Sequence, residues 1–194
     1  MTRIGITGGI GSGKSVVVKI LSLLGVPSFD SDYEAKMLND TSPVIRERLT
    51  AEFGDELYAG GTLNKKLFAS IIFGDEDKLK LANSIIHPAV AEHFIKWCKM
   101  HESYPLVAID SAILFDAGFD KYVDKVVTVY SPKDLRIERV MKRDDTERRK
   151  VLDRMDKQMS EETKVKMSDF IIYNNEEESL IKQTKDLFYC FSKK

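Results

Sequence analysis

Gly8-Gly9-Ile10-Gly11-Ser12-Gly13-Lys14-Ser15 fits the pattern G-x-x-x-x-G-K-[ST], and its residue types suit the binding of a polyphosphate. Glycines let the backbone turn tightly, so that successive N–H groups converge on phosphate oxygens. A helix starting just after the loop adds partial positive charge at its N-terminus. Lys14 can reach the β and γ phosphates, and the Ser15 hydroxyl can ligate Mg²⁺. A lysine on the buried side of a helix start also needs an anionic partner.

Two carboxylate positions could complete a phosphoryl-transfer site. Asp30-Ser31-Asp32 directly follows the apolar run Val26–Phe29. Asp32 is read as the group that orients an attacking hydroxyl and accepts its proton. Asp30 is read as a helix cap or a supporting group. Leu106-Val107-Ala108-Ile109-Asp110 is an apolar strand ending in a carboxylate, a suitable Mg²⁺ ligand beside a phosphate loop. His87-Pro88 lies in a helical stretch, and Pro88 is expected to break the helix there. His93 and His101 read as helix-surface residues, and no second His or Cys near His87 suggests a metal site.

These groups must be held by short strands that are apolar on both faces. The candidates are Ile4–Thr7, Val26–Phe29, Leu106–Ile109, Val126–Tyr130 and Phe170–Tyr173. Val16–Leu24 reads as the helix after the loop, stopping at Gly25. Helical patterns between strands predict a parallel sheet covered on both faces, an α/β three-layer fold with a mainly parallel five-stranded sheet. Ligands then bind outside the carboxyl ends of the strands, the rim that carries the loop and the aspartates.

Two regions exceed a simple strand–helix–strand repeat. Pro43–Phe53, Lys65–Phe73 and Asp75–Met100 read as helices with no strand among them. Residues 40–103 are therefore expected to form a helical insertion that holds a second substrate. Residues 132–167 are expected to form a helical lid. Lys133–Lys166 holds 12 Lys/Arg against 9 Asp/Glu, a local positive excess in a chain of net charge −1. Such a lid would stand off the phosphate loop and close its arginines over phosphates when substrates bind. The core is expected at 1–39, 104–131 and 168–194.

With that net charge the composition gives no general case for nucleic-acid or membrane attraction. Cys98 and Cys190 suggest neither a disulfide framework nor a metal site, which suits a reducing, cytoplasmic setting. The N-terminus runs straight into a strand pattern, so no signal peptide is expected. A guanine-nucleotide switch would need N-K-x-D, and Asn64-Lys65-Lys66-Leu67 lacks the carboxylate.

Taken in order, these segments resemble the dephospho-CoA kinase family over nearly the whole chain. The resemblance rests on Ile6–Ser15, Leu24-Gly25-Val26-Pro27 with Asp30-Ser31-Asp32, and Ile85-Ile86-His87-Pro88-Ala89-Val90. It continues through Asp110-Ser111-Ala112-Ile113-Leu114-Phe115-Asp116, Arg136–Asp144 and Met167–Asn175. It implies transfer from ATP·Mg²⁺ to the ribose 3′-hydroxyl of dephospho-CoA, giving coenzyme A and ADP. Asp32, Lys14 and Arg143 are implied as catalytic. Gly11, Ser12, Gly13, Lys14, Ser15, Val16, Arg143 and Asn174 would hold the nucleotide, and Ser15 and Asp110 the metal. Asp32, His87, Asp110, Leu114 and Phe115 would meet the acceptor. The partners are then ATP and dephospho-CoA, with no nucleic acid and no membrane. Departures from the family pattern are Ala112 for proline, Asp116 for glutamate, Val16 for threonine and Glu176 for glycine. On the loop alone, another small-metabolite or nucleoside-monophosphate kinase fits as well.

Overall fold

Apolar strands buried on both faces give the molecule its central layer. A computed structural model of the chain describes residues 1–192; the last two residues of the expected core segment 168–194 lie outside them. The strands are β1 (Thr2–Thr7), β2 (Ser28–Asp30), β3 (Leu106–Asp110), β4 (Lys125–Tyr130) and β5 (Phe170–Tyr173). They form one sheet in the order β2-β3-β1-β4-β5, all parallel. The helices are α1 (Lys14–Leu23), α2 (Ser31–Thr41), α3 (Pro43–Phe53), α4 (Lys65–Ile72), α5 (Glu76–Met100), α6 (Lys133–Asp144), α7 (Arg148–Met155), α8 (Glu161–Met167) and α9 (Leu180–Ser192). The chain leaves β1 toward β2 on one side and later adds β4 on the other. The carboxyl end of β1 is thus the point where strand order reverses, and the phosphate loop follows it directly.

Alternation along β1 sends Ile4 and Ile6 to one face and Gly5 to the other. On the first face they pack with Val17 and Leu21 of α1, Leu187 of α9, and Val127, Val129 and Ile172. On the second face Leu114 fills the space beside Gly5, where a Cβ would stand 2.8 Å from Leu114 Cδ2. Sheet and flanking helices thus make the expected α/β fold.

The chain divides into two compact units, residues 1–29 with 98 onward, and Asp30–Trp97. The first holds nearly the whole sheet. The second is helical, and its entries are capped as the sequence suggests. The Asp30 carboxylate accepts from the N–H groups of Asp32 and Tyr33, both at 3.0 Å. Ser42 caps α3 ahead of Pro43, and Asn64 caps α4. Asp40 accepts from Leu63 N–H and pairs with Lys65. Arg46 lies over the Tyr58 ring, and the Tyr58 hydroxyl donates to the Asn39 carbonyl.

Several elements differ from the sequence reading. Pro88 does not break its helix, because α5 runs unbroken through it. Ala82, Ile85, Ile86, Val90, Ala91 and Phe94 are buried on both sides of the proline. Packing of that stripe outweighs the roughly 3 kcal/mol that a mid-helix proline costs. His93 is not a free surface residue, since its Nε2 lies 3.1 Å from Glu34 Oε2. β2 starts at Ser28 rather than Val26. Pro27 cannot donate to a ladder, and its carbonyl accepts from Ala108 N–H at 2.9 Å. α1 begins at Lys14, earlier than expected, because the glycine loop runs into it without a spacer. Glu176 takes φ 70, a left-handed conformation that glycine adopts at no cost. That explains why the family pattern favours glycine there.

Burial pushes the Cys98 thiol up to about 11, whereas Cys190 is exposed. The folded chain at pH 8 is therefore expected to show one fast thiol toward Ellman's reagent, with the second appearing only on unfolding. Two fast thiols would contradict the placement of Cys98.

Candidate active site

Between β1 and α1 the backbone must reverse within residues 8–13. It does so with positive φ at Gly11 (82) and Gly13 (94). At both positions a side chain is also excluded by contact. A Cβ on Gly11 would lie 2.5 Å from the Arg136 carbonyl oxygen. One on Gly13 would fall on Asn174 Nδ2. Gly13 offers α1 no side-chain cap, so that helix end stays open to an external anion. Ser12 is buried and Ser15 and Val16 are exposed. The Ser12 hydroxyl oxygen, buried against Gly8, has no hydrogen-bond partner among the described residues.

Gly13→Ala is expected to be costly for both reasons. A left-handed residue with a Cβ loses about 1–2 kcal/mol before the collision with Asn174 is counted. Urea unfolding should show a lower midpoint at unchanged slope; a midpoint equal to wild type would contradict the loop geometry.

Lys14 opens α1, and its ammonium pairs with the Asp110 carboxylate at the end of β3. The register of β1 with β3 sets Asp110 opposite Ile6, one residue before the strand ends. The pair is largely buried, with side chains 18% and 14% exposed. A carboxylate oxygen, an exposed serine hydroxyl and phosphate oxygens form the hard-oxygen donor set that suits Mg²⁺.

Asn174 supports the loop from the end of β5. Its Nδ2 donates to the Ser12 carbonyl at 2.8 Å, and its N–H donates to the Tyr130 carbonyl. Arg139 holds it in turn, donating to its carbonyl at 3.2 Å, to its Oδ1 at 3.4 Å and to the Ser131 hydroxyl at 3.0 Å. Lys14, Ser15, Asp110, Asn174 and the loop glycines are thus brought together in one unit. Leu114 is fully buried against Gly5, and Phe115 is half-buried. Arg143, exposed in the last turn of α6, donates through Nε and Nη2 to Asp144, which also accepts from Arg154. These guanidinium groups hold the Asp144 carboxyl well below the usual carboxylate range. In the helical unit Asp32 is exposed in the first turn of α2, and His87 is half-buried on α5.

The segment expected as a lid contains groups that sequence reasoning missed. Arg136, Glu161 and Lys164 are buried, and Glu161 accepts a hydrogen bond from Gly9 N–H. Ile10 packs on a small core of Ile137, Val140, Val151 and Met155 from α6 and α7. The expectation that the arginines of 132–167 stand off the loop therefore fails for Arg136, which is built against Gly9. A signal was present: Arg136 adjoins Ile137 and Val140 on the apolar stripe of α6 rather than its polar side.

The model of one family, described as dephospho-CoA kinase, matches residues 2–179. The chain belongs to the dephospho-CoA kinase family. A dephospho-CoA kinase of Bacteroides fragilis is 44% identical over 185 residues, covering 95% of this chain and 90% of that one. One of Porphyromonas gingivalis is 48% identical over 166 residues, covering 86% and 82%. The crystal structure of TT1252 from Thermus thermophilus superposes with a TM-score of 0.83 at 30% identity, covering 97% of this chain and 96% of that one. As a member of the dephospho-CoA kinase family the chain is a transferase of the kinase class. Among the described residues, no helix is long and apolar enough to cross a membrane.

Proposed function

We propose that the chain transfers the γ-phosphoryl group of ATP to the ribose 3′-hydroxyl of dephospho-CoA, giving coenzyme A and ADP, the last step of coenzyme A synthesis. The observation that carries the chemistry is the division of labour between two neighbouring aspartates. Both are exposed, but the Asp30 carboxylate is engaged in capping α2, whereas Asp32 stands in the first turn and contributes its N–H to that cap. A carboxylate not consumed by folding can orient the acceptor hydroxyl and take its proton as the new P–O bond forms. The proton leaves with Asp32 and the electron pair of the broken bond stays on ADP.

In this reading the amides of residues 11–15 cradle the β and γ phosphates, and Lys14 turns from Asp110 to the transferring group. Charge on that group is then met by the loop amides, fixed donors that need no reorganisation, together with the Lys14 ammonium. Ser15 and Asp110 would hold Mg²⁺, which when bound neutralises phosphate charge. Asn174 keeps the loop in shape, and Val16 stands beside it. Arg143 would leave Asp144 to reach phosphate when 132–167 closes as a lid. His87 and Phe115 would shape the acceptor side, with residues 40–103 as the acceptor-binding insertion; Leu114, fully buried against Gly5, does not meet the acceptor and instead packs under β1. The cytoplasm is the proposed compartment, consistent with two free thiols.

Coupled ADP release with dephospho-CoA, adenosine, AMP, CMP and shikimate as acceptors tests the reading. Dephospho-CoA should give the highest kcat/KM by orders of magnitude. A faster reaction with any other acceptor would replace the substrate while leaving the reaction type intact.

A further inference from the structure

Three charged side chains lie almost wholly buried beside the first turn of the phosphate loop. Arg136 is 8% exposed, Glu161 4% and Lys164 0%. Burying charge costs several kcal/mol per ion, and apolar residues of similar volume are often at least as stable. Stability alone does not account for such a trio, which directs attention to what it touches. Glu161 Oε1 accepts from Gly9 N–H at 2.8 Å, and Gln158 Oε1 accepts from Ile10 N–H at 3.0 Å. Lys164 Nζ lies 3.4 Å from the same Glu161 oxygen and 3.4 Å from the Ala112 carbonyl. Arg136 closes the cluster, its Nη1 standing 2.5 Å from where a Gly9 Cβ would be.

We propose that Glu161 is a positioning residue for phosphoryl transfer: its carboxylate, held by Lys164, holds the Gly9 amide and fixes the loop that aims the downstream amides and Lys14 at the γ-phosphate. The proposal rests on the kinase reading above. Glu161 touches no reacting atom and acts through the loop. A charged acceptor holds a backbone N–H more firmly than a neutral one. Lys164 in turn needs the carboxylate. Burial draws the Lys164 ammonium below its ordinary pKa, and Glu161 acts to raise it again.

Glu161→Ala and Glu161→Gln in the full chain test this. A displaced loop misaligns donor and acceptor, and displacement by about 1 Å is enough for roughly 10²-fold. Glu161→Ala should therefore lower kcat with dephospho-CoA by about that factor while the KM for ATP changes far less. The Gly9 amide proton should also shift upfield in the NMR spectrum as its acceptor is lost. Glu161→Gln retains an acceptor oxygen, so its Gly9 resonance should stay near wild type and its kcat should lie above that of Glu161→Ala. If Glu161→Ala does not fold, the same two expectations hold for Glu161→Asp, whose carboxylate is one methylene too short to keep the Gly9 amide. The proposal is overturned if Glu161→Ala keeps the wild-type kcat. It is equally overturned if both variants lose activity only in proportion to their unfolded fraction, or if the Gly9 resonance is indifferent to residue 161. The Gly9 shift does not depend on the acceptor. Failure of the kinase reading, seen as no transfer by the wild-type chain, is therefore distinguishable.

Discussion

Lys14→Ala is expected to leave a folded chain that has lost phosphoryl transfer. The ammonium is the one cation that opens α1 at the mouth of the glycine loop, and it is largely buried with Asp110. Charge that develops on the transferring group would lose its nearest fixed positive partner. Removing one such preorganised group typically costs about 10²–10³ in kcat, roughly 3–4 kcal/mol. The loop's amides remain, so nucleotide affinity should suffer less than turnover. Asp110 loses an ion-pair partner in a largely buried place, and a clear fall in melting temperature should accompany the change. Steady-state kinetics with a melting curve on the same preparation checks both. Turnover near wild type would sink the assignment of the loop as the ATP site.

Asp32→Asn is expected to be at least as severe. Asparagine keeps the size and much of the hydrogen bonding of the aspartate but cannot accept the hydroxyl proton. Loss of a general base costs about 10²–10⁴-fold. ATP affinity should hardly move, because the loop is untouched. Asp30→Asn is the matched control. Asparagine caps a helix about as well as aspartate, so α2 should keep its N-terminus and activity should change little. Crippling of Asp30→Asn with a mild Asp32→Asn would reverse the two roles.

The loop, the sheet and most helix limits were legible because their signals are local. Glycines at required positive φ, apolar strands and caps such as Asp30, Ser42 and Asn64 act within a few residues. Pro88 was misread because the cost of a proline is local while the burial of Ile85, Ile86, Val90 and Phe94 is not. The role of Glu161 was hidden for a different reason. Its partner Gly9 comes from the loop after β1, and in sequence a buried carboxylate within a charged run looks like a solvated one. Glu176 shows the reverse case. The departure was visible in sequence, but only its φ of 70 supplies the reason, and its carboxylate pairs with Arg139 at 3.3 Å.

The most direct measurement is the fate of the γ-phosphoryl group when the wild-type chain turns over ATP and dephospho-CoA with Mg²⁺. The proposed function predicts one ADP released per acceptor consumed, and a product whose phosphorus couples by NMR to the ribose H3′ proton. Phosphate appearing free in solution at the same rate with and without dephospho-CoA, or attached at another position of the acceptor, would contradict it.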